Sequence, residues 1–369
     1  MSRQAKAVVC REWGKPVQVE TITVDAPKRG EVTIKVAACG VCHSDHSATT
    51  GKIQYPPPLV VGHEAAGVVV DVGEGVTGLK EGDYVVSTFI TMCGKCRNCV
   101  RGRPVLCENA KKSMVTLPDG TVRTHGKDGE DLYVFGACGV MAEYATLHED
   151  NCVKIDEGVS LPSAALVGCA VITGVGAVFN TADLEPGSRA AVFGIGGVGL
   201  NAIQGCVTAG AEMVIAVDTN EKKLEMAKEF GATHTININE VEDVSKAIKK
   251  LSAGGVDYAF ECVGNGKVVE QAYKALGRAG TVVVVGVADM KDKTSISTFA
   301  LPADERTLKG SWLGSARPQY DFPKILNLYK ANRLKLDELI TKTYSIDEAP
   351  QAFEDMLEGK NARGVIIFE

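Results

Sequence analysis

Aromatic side chains are scarce in this chain: they make up 6% of 369 residues, with two tryptophans. Nowhere do they interleave with a run of lysine and arginine, and the net charge is -6. A nucleic-acid partner is therefore not expected, because phosphate binding needs a clustered positive surface. Long apolar runs are missing too. Every hydrophobic stretch is interrupted before about 18 residues, the length a membrane-crossing helix needs, so no membrane partner is expected. The opening MSRQAKAVVCREWGKPVQVE lacks the unbroken apolar centre and small-residue cleavage site of a secretory signal. The expected location is the cytoplasm, where disulfides are disfavoured. The twelve cysteines then call for metal, catalysis or packing as their explanation.

The length suits two domains with separate cores. The first part is rich in short β-branched runs, such as KAVVC, VQVETITV, EVTIKVAA, AAGVVVDVG and DYVVST, split by Gly, Pro and Asp. This predicts a β-rich domain. From about residue 171 the pattern changes. The strand-like RAAVFG, MVIAVD, THTIN, VDYAFEC and GTVVVVGV alternate with segments of helical period. Such alternation predicts a parallel sheet covered on both faces, an α/β doubly wound fold. Helices are expected near 321–331 and 347–358, with a last strand in RGVIIFE.

Within the second part, VFGIGGVG places Gly194, Gly196 and Gly199 as G-x-G-x-x-G between a strand and a helix. A lone motif of this kind is weak, but the strand–turn–helix context is the one a dinucleotide pyrophosphate requires. The free amides at the helix start, Gly197 and Val198 among them, favour phosphate charge. Asp218 ends the next strand, where a carboxylate accepts the adenosine ribose hydroxyls and repels a 2′-phosphate. NAD is thus expected over NADP. Lys222 or Lys223 can reach the same ribose, and the alternative for each is a solvated helix face.

CGKCRNCVRGRPVLC sets Cys93, Cys96, Cys99 and Cys107 at C-x2-C-x2-C-x7-C. Four soft sulfurs specify zinc or an iron–sulfur centre. A closed set leaves no open position, so this metal should be structural. Lys95, Arg97, Arg101 and Arg103 soften the charge of the tetrathiolate. A catalytic zinc needs about three protein ligands and one open position. CGVCHSDHS (39–47) and GHEAAG (62–67) offer candidates, but spacing alone does not choose among them.

These segments together, with VGCAVITG, resemble the zinc-dependent alcohol dehydrogenases of the medium-chain dehydrogenase/reductase superfamily over essentially the whole chain. The likeness is to the long form with a catalytic and a structural zinc. The resemblance implies a GroES-like catalytic domain at 1–170 and 314–369 carrying both metals, and a Rossmann NAD domain at 171–313. It implies Cys42, His63 and Cys169 as catalytic-zinc ligands. Asp45 would orient His63, Glu64 would stand beside the metal, and Ser44 would bond the alcohol and take its proton. Thr173 and Val198 would lie by the nicotinamide, Val287 elsewhere among the cofactor contacts, Arg363 and His43 by the pyrophosphate, and Phe89 in the substrate channel. With two zinc ions and NAD, the reaction would be reversible oxidation of a primary or secondary alcohol. The assembly would be a homodimer or homotetramer, with GTVVVVGV and the segment after it at a subunit edge.

The sequence departs from the best-known branch at three points. His43 stands where an arginine is common. Ser47 occupies the proton-relay histidine's place, with His46 one residue earlier. Ile53-Gln54-Tyr55 replaces the acids of the glutathione-adduct branch, although Lys111 matches its basic residue. Alternatives on the same scaffold are a thiol-adduct formaldehyde dehydrogenase, an aromatic-alcohol dehydrogenase with Tyr55, Phe89, Tyr133 and Phe135 lining a pocket, and a nicotinoprotein that keeps its NAD. A non-catalytic NAD- or zinc-binding protein is disfavoured by the complete open-site set. Cys10, Cys39, Cys138, Cys152, Cys206 and Cys262 are expected to be packing residues, and His125, His148 and His234 to lie at the surface.

Overall fold

The computed structural model describes residues 1–369, which divide into two compact units. The first comprises Met1–Cys169, Arg317–Lys330 and Leu336–Glu369; the second comprises Ala170–Ala316 and Ala331–Lys335.

The first unit is built on two sheets. One has five strands, centred on Arg3–Cys10 paired antiparallel with Gln18–Val24. The other has seven, and its hub is the long strand Glu31–Gly40, flanked by Ala65–Val72, Tyr144–His148 and Arg363–Ile367. Alternating inward residues, Val32, Ile34 and Val36 with Val69, Val85, Leu147 and Ile366, fill one core. This hub strand sets up the site. Its pairing puts Cys39 opposite Ala65 and Gly40 opposite Val365. Cys42, His63 and Arg363 therefore emerge at one end of the same sheet.

The segment after the cysteine lobe is tied to the hub by charge. Arg123 is 1% exposed and binds Glu31, at the start of the hub strand, through both oxygens, at 2.8 and 2.6 Å. A third bond of 2.6 Å goes to Asp119. His125 is only half-buried, with Asp25 at 2.9 Å on one ring nitrogen and Asp131 at 3.0 Å on the other.

The second unit has a six-stranded sheet whose five pairings are all parallel: His234–Asn237, Met213–Asp218, Arg189–Phe193, Val256–Glu261, Leu276–Val284 and Thr307–Gly310 in spatial order. The chain runs outward from Arg189–Phe193 on one side and then restarts at Val256–Glu261 on the other. The switch point beside Arg189–Phe193 is where such sheets bind ligands. The helix Gly197–Ala209 follows the glycine turn. A Cβ on Gly199 would meet the Gly194 carbonyl oxygen at 1.9 Å, so no other residue allows this helix so near its strand. The strand carrying GTVVVV is paired on both sides, and the sheet edge is Thr307–Gly310, in the segment that follows it. An unbroken apolar run is the mark of an interior strand covered on both faces. No single helix is long and apolar enough to cross a membrane.

Candidate active site and metal centres

Cys42 ends the hub strand's continuation and immediately precedes the helix His43–Thr49. That helix carries Asp45, fully buried, back toward His63. Asp45 Oδ1 accepts from the Gly62 amide at 3.0 Å and lies 3.0 Å from His63 Nδ1. The other ring nitrogen, Nε2, is buried with no partner at good hydrogen-bond geometry, and the Cys42 sulfur is its polar neighbour. Orphaned buried groups are rare enough to need a reason. Here the reason is the company. Ligand atoms of Cys42, His63, Glu64 and Cys169 all lie within 4.8 Å of one another, and all four residues are buried. Cys169 follows the tight turn Leu166–Gly168.

Glu64 is the member held elsewhere, since its carboxylate contacts the Arg363 guanidinium. Gly40 makes this possible: a Cβ there would stand 2.1 Å from Glu64 Oε2 and 3.1 Å from the Arg363 guanidinium. Two thiols and one imidazole remain, with one position open. The Cys42 thiol is held well below its ordinary range because Cys169 donates to it, and Cys169 is raised by the same bond. Burial works against charge on His63, but Asp45 outweighs it and raises the imidazole. Burial raises Glu64 to about 7 against the pull of Arg363. A bound metal displaces these protons.

The second cluster is local. Cys93, Cys96, Cys99 and Cys107 bring four sulfurs within 4.8 Å. Cys107 Sγ lies 3.6 Å from that of Cys93 and 3.9 Å from that of Cys96. A tetrahedron with Zn–S bonds of about 2.3 Å has edges of about 3.8 Å, so these sulfurs stand at the spacing of a zinc tetrathiolate.

Around the first cluster sit aromatic rings. Phe89 meets the His63 ring edge-on at 5.3 Å and Phe135 at 5.0 Å. Tyr55 packs on Phe135 at 4.5 Å. Phe89 is partly exposed, whereas Phe135 and Tyr55 are buried. Tyr133 instead lies in a strand paired with Leu59–Val60. Ser44 is half-buried in the first turn of the helix and His43 is exposed. His46 is half-buried, its imidazole held below the usual range by burial and then by His43 and Lys52.

In the second unit, Gly196 is exposed, Gly194, Gly197 and Val198 are half-buried, and Gly199 is buried. Asp218 does more than the sequence implied. Its Oδ2 accepts from the Ile195 amide inside the glycine turn at 2.7 Å, and Oδ1 accepts from Thr219 and Asn220 at 2.8 and 3.0 Å. Thr173 and Lys223 are half-buried, Lys222 is exposed, and Val287 is 64% exposed. Arg363, expected at the pyrophosphate, is buried beside Glu64. Five of the six packing cysteines are buried, and Cys262 is partly exposed.

Two family models match the chain, an alcohol dehydrogenase GroES-like domain over residues 28–157 and a zinc-binding dehydrogenase domain over residues 197–331. An NDMA-dependent alcohol dehydrogenase of Amycolatopsis methanolica is 41% identical, covering 99% of both chains. The chain belongs to the zinc-dependent alcohol dehydrogenases of the medium-chain superfamily. Another member, an S-(hydroxymethyl)glutathione dehydrogenase of Paracoccus denitrificans, is 37% identical over 99% of this chain and 100% of its own. Among solved members, the benzyl alcohol dehydrogenase of Acinetobacter calcoaceticus superposes with a TM-score of 0.94 at 31% identity, covering 100% of both chains. The family's GroES-like and Rossmann-like domains correspond to the β-rich and parallel-sheet architectures described above.

Proposed function

We propose that this family member oxidises an alcohol, reversibly, with NAD as hydride acceptor and zinc held by Cys42, His63 and Cys169. The observation that carries the reading is the His63 ring: Asp45 fixes one nitrogen, and the other is buried within ligand distance of two sulfurs. Bound there, zinc supplies Lewis acidity that makes the alcohol hydroxyl easier to deprotonate. Ser44 takes that proton. Asp45 keeps the His63 Nδ1 side occupied, so that Nε2 is presented. The Arg363–Glu64 pair holds a second charge beside the site. Asp218 accepts the adenosine ribose hydroxyls while bracing the glycine turn through Ile195, and Gly194 to Gly199, Thr173, Lys223 and Val287 complete the dinucleotide contacts. The alcohol loses one proton and one hydride in all. His43 or water carries the proton outward, since Ser47 cannot serve as a histidine relay. The second metal, on Cys93, Cys96, Cys99 and Cys107, is structural. The assembly is a homodimer or homotetramer, and the location cytoplasmic.

A second reading is favoured by the 41% identity to an NDMA-dependent enzyme: the dinucleotide stays bound, and an external acceptor reoxidises it. Purified protein passed through a desalting column separates the two. Retained nicotinamide absorbance would support the second, and its loss the first. Short-chain, long-chain, benzylic and thiol-adduct alcohols, each assayed with NAD and NADP, test the function. Turnover of none, with either dinucleotide or with an external acceptor, would overturn it.

Asp218→Gly is expected to weaken NAD binding and to reduce the preference over NADP. The double effect follows from the two tasks of the carboxylate, ribose and Ile195 amide. Unchanged KM for both dinucleotides would remove Asp218 from the site.

A further inference from the structure

We propose that Glu261 is a positioning residue for the dinucleotide, acting by holding the backbone turn 262–265 against the glycine turn. The inference rests on the NAD reading above.

Glu261 is the last residue of the strand Val256–Glu261, beside the strand that feeds the glycine turn. Its side chain is fully buried. Oε1 accepts from the amides of Val263 and Gly264 at 2.8 and 2.7 Å, with Asn265 at 3.4 Å. Its main-chain carbonyl accepts from Val285 and Gly286 at 2.8 and 2.9 Å. One residue thus fastens the ends of two strands.

Those ends leave no slack. A Cβ on Gly194 would meet the Val263 side chain at 2.5 Å, one on Gly264 the Val287 carbonyl oxygen at 2.6 Å, and one on Gly286 the Gly264 nitrogen at 2.1 Å. The turn that receives phosphate, the turn 262–265 and the segment reaching Val287 form one interlocked edge. Displacing the middle turn moves both neighbours.

The second oxygen, Oε2, is buried without a hydrogen-bond partner. A buried carboxylate with half its acceptor capacity unused costs stability. The helices that follow two of these strands are capped by short, neutral side chains, Asn220 and Asn265. Glutamate has the reach to gather successive amides at a place where turn position decides ligand geometry.

The test compares Glu261→Gln with Glu261→Asp by NADH fluorescence titration, after exchange of any co-purified dinucleotide. Gln keeps Oε1 in place; Asp keeps the charge but retracts the acceptor by one methylene. E261Q is expected to bind NADH within about threefold of the unaltered protein, and E261D about tenfold more weakly, as the retracted carboxylate no longer reaches the amides of the turn. KM for NAD should rise in E261D with kcat little changed. Wild-type affinity in folded E261D would overturn the proposal. So would E261Q losing more than E261D, because charge rather than position would then be responsible. A fall in thermal midpoint and affinity in strict proportion across both variants would also overturn it, showing a role in stability alone. Failure of the unaltered protein to bind NADH would instead overturn the cofactor reading, and this inference with it.

Discussion

Replacing Cys42 by alanine should lower kcat/KM for alcohol oxidation by about a thousandfold or more, the scale of several kcal/mol of Lewis-acid stabilisation. Cys42 is one of the three ligands proposed for the catalytic ion, and the fourth member of the cluster, Glu64, is engaged by Arg363. Two ligands cannot keep an open-site zinc. Elemental analysis is expected to show two zinc ions per chain before the change and one after it, because Cys93, Cys96, Cys99 and Cys107 form a separate cluster. NADH binding should persist, as the glycine turn and Asp218 belong to the other unit. Full activity with one zinc gone would show that the wrong cluster had been called catalytic. Loss of activity with both ions present would show Cys42 to act otherwise than as a ligand.

The largest stability effect is expected at Glu31. Glu31→Ala removes the two-oxygen partner of an arginine that is 1% exposed. Breaking a buried ion pair costs up to about 3–5 kcal/mol, and Asp119 is the one carboxylate left to Arg123. The urea midpoint should therefore fall steeply, and Arg123→Met in the same chain should restore most of the loss, since a well-packed apolar pair often replaces a buried ion pair at little cost. A double variant no better than Glu31→Ala would show that the pair's charge is not what matters. Acid should loosen the same region. Burial opposes charge on Asp119, but Arg123 and Thr121 outweigh it and hold the carboxyl at about 2, below the ordinary 3.8. Its contribution is complete above the ordinary value and is lost as pH falls from there through about 2. Asp119→Asn should flatten that part of the acid-unfolding curve.

The parallel sheet was legible because buried strands and amphipathic helices carry different periods, and those periods survive in a single sequence. Asp218 was legible as a strand-end acid, but its bond to the Ile195 amide was not, because only the fold brings the two strand ends together. The helix Ala170–Gly176 was invisible for the opposite reason. Six of its seven residues are buried, so it shows no polar face and no amphipathic period. Cys169 beside it therefore read as packing until the family resemblance supplied its role. Arg123 and Glu31 lie 92 residues apart, a separation across which no local rule pairs charges. Glu261 was hidden inside the strand-like VDYAFEC, where a terminal acid looks like a solvated end.

The four-cysteine lobe has a consequence for how the molecule is made. All its ligands come from one short stretch, so the loop that metal closes is small and can close before the distant sheets assemble. Backbone amides hold the Cys93 thiol down at about 6, so it is largely thiolate at neutral pH, and Cys107 sulfur stands 3.6 Å away. Without the ion, that is a nucleophile poised beside a second thiol and exposed to oxidants. Zinc is then a protecting group as well as a strut. A chain that meets oxygen before it meets zinc is expected to cross-link its own lobe, and later metal would find fewer than four ligands waiting.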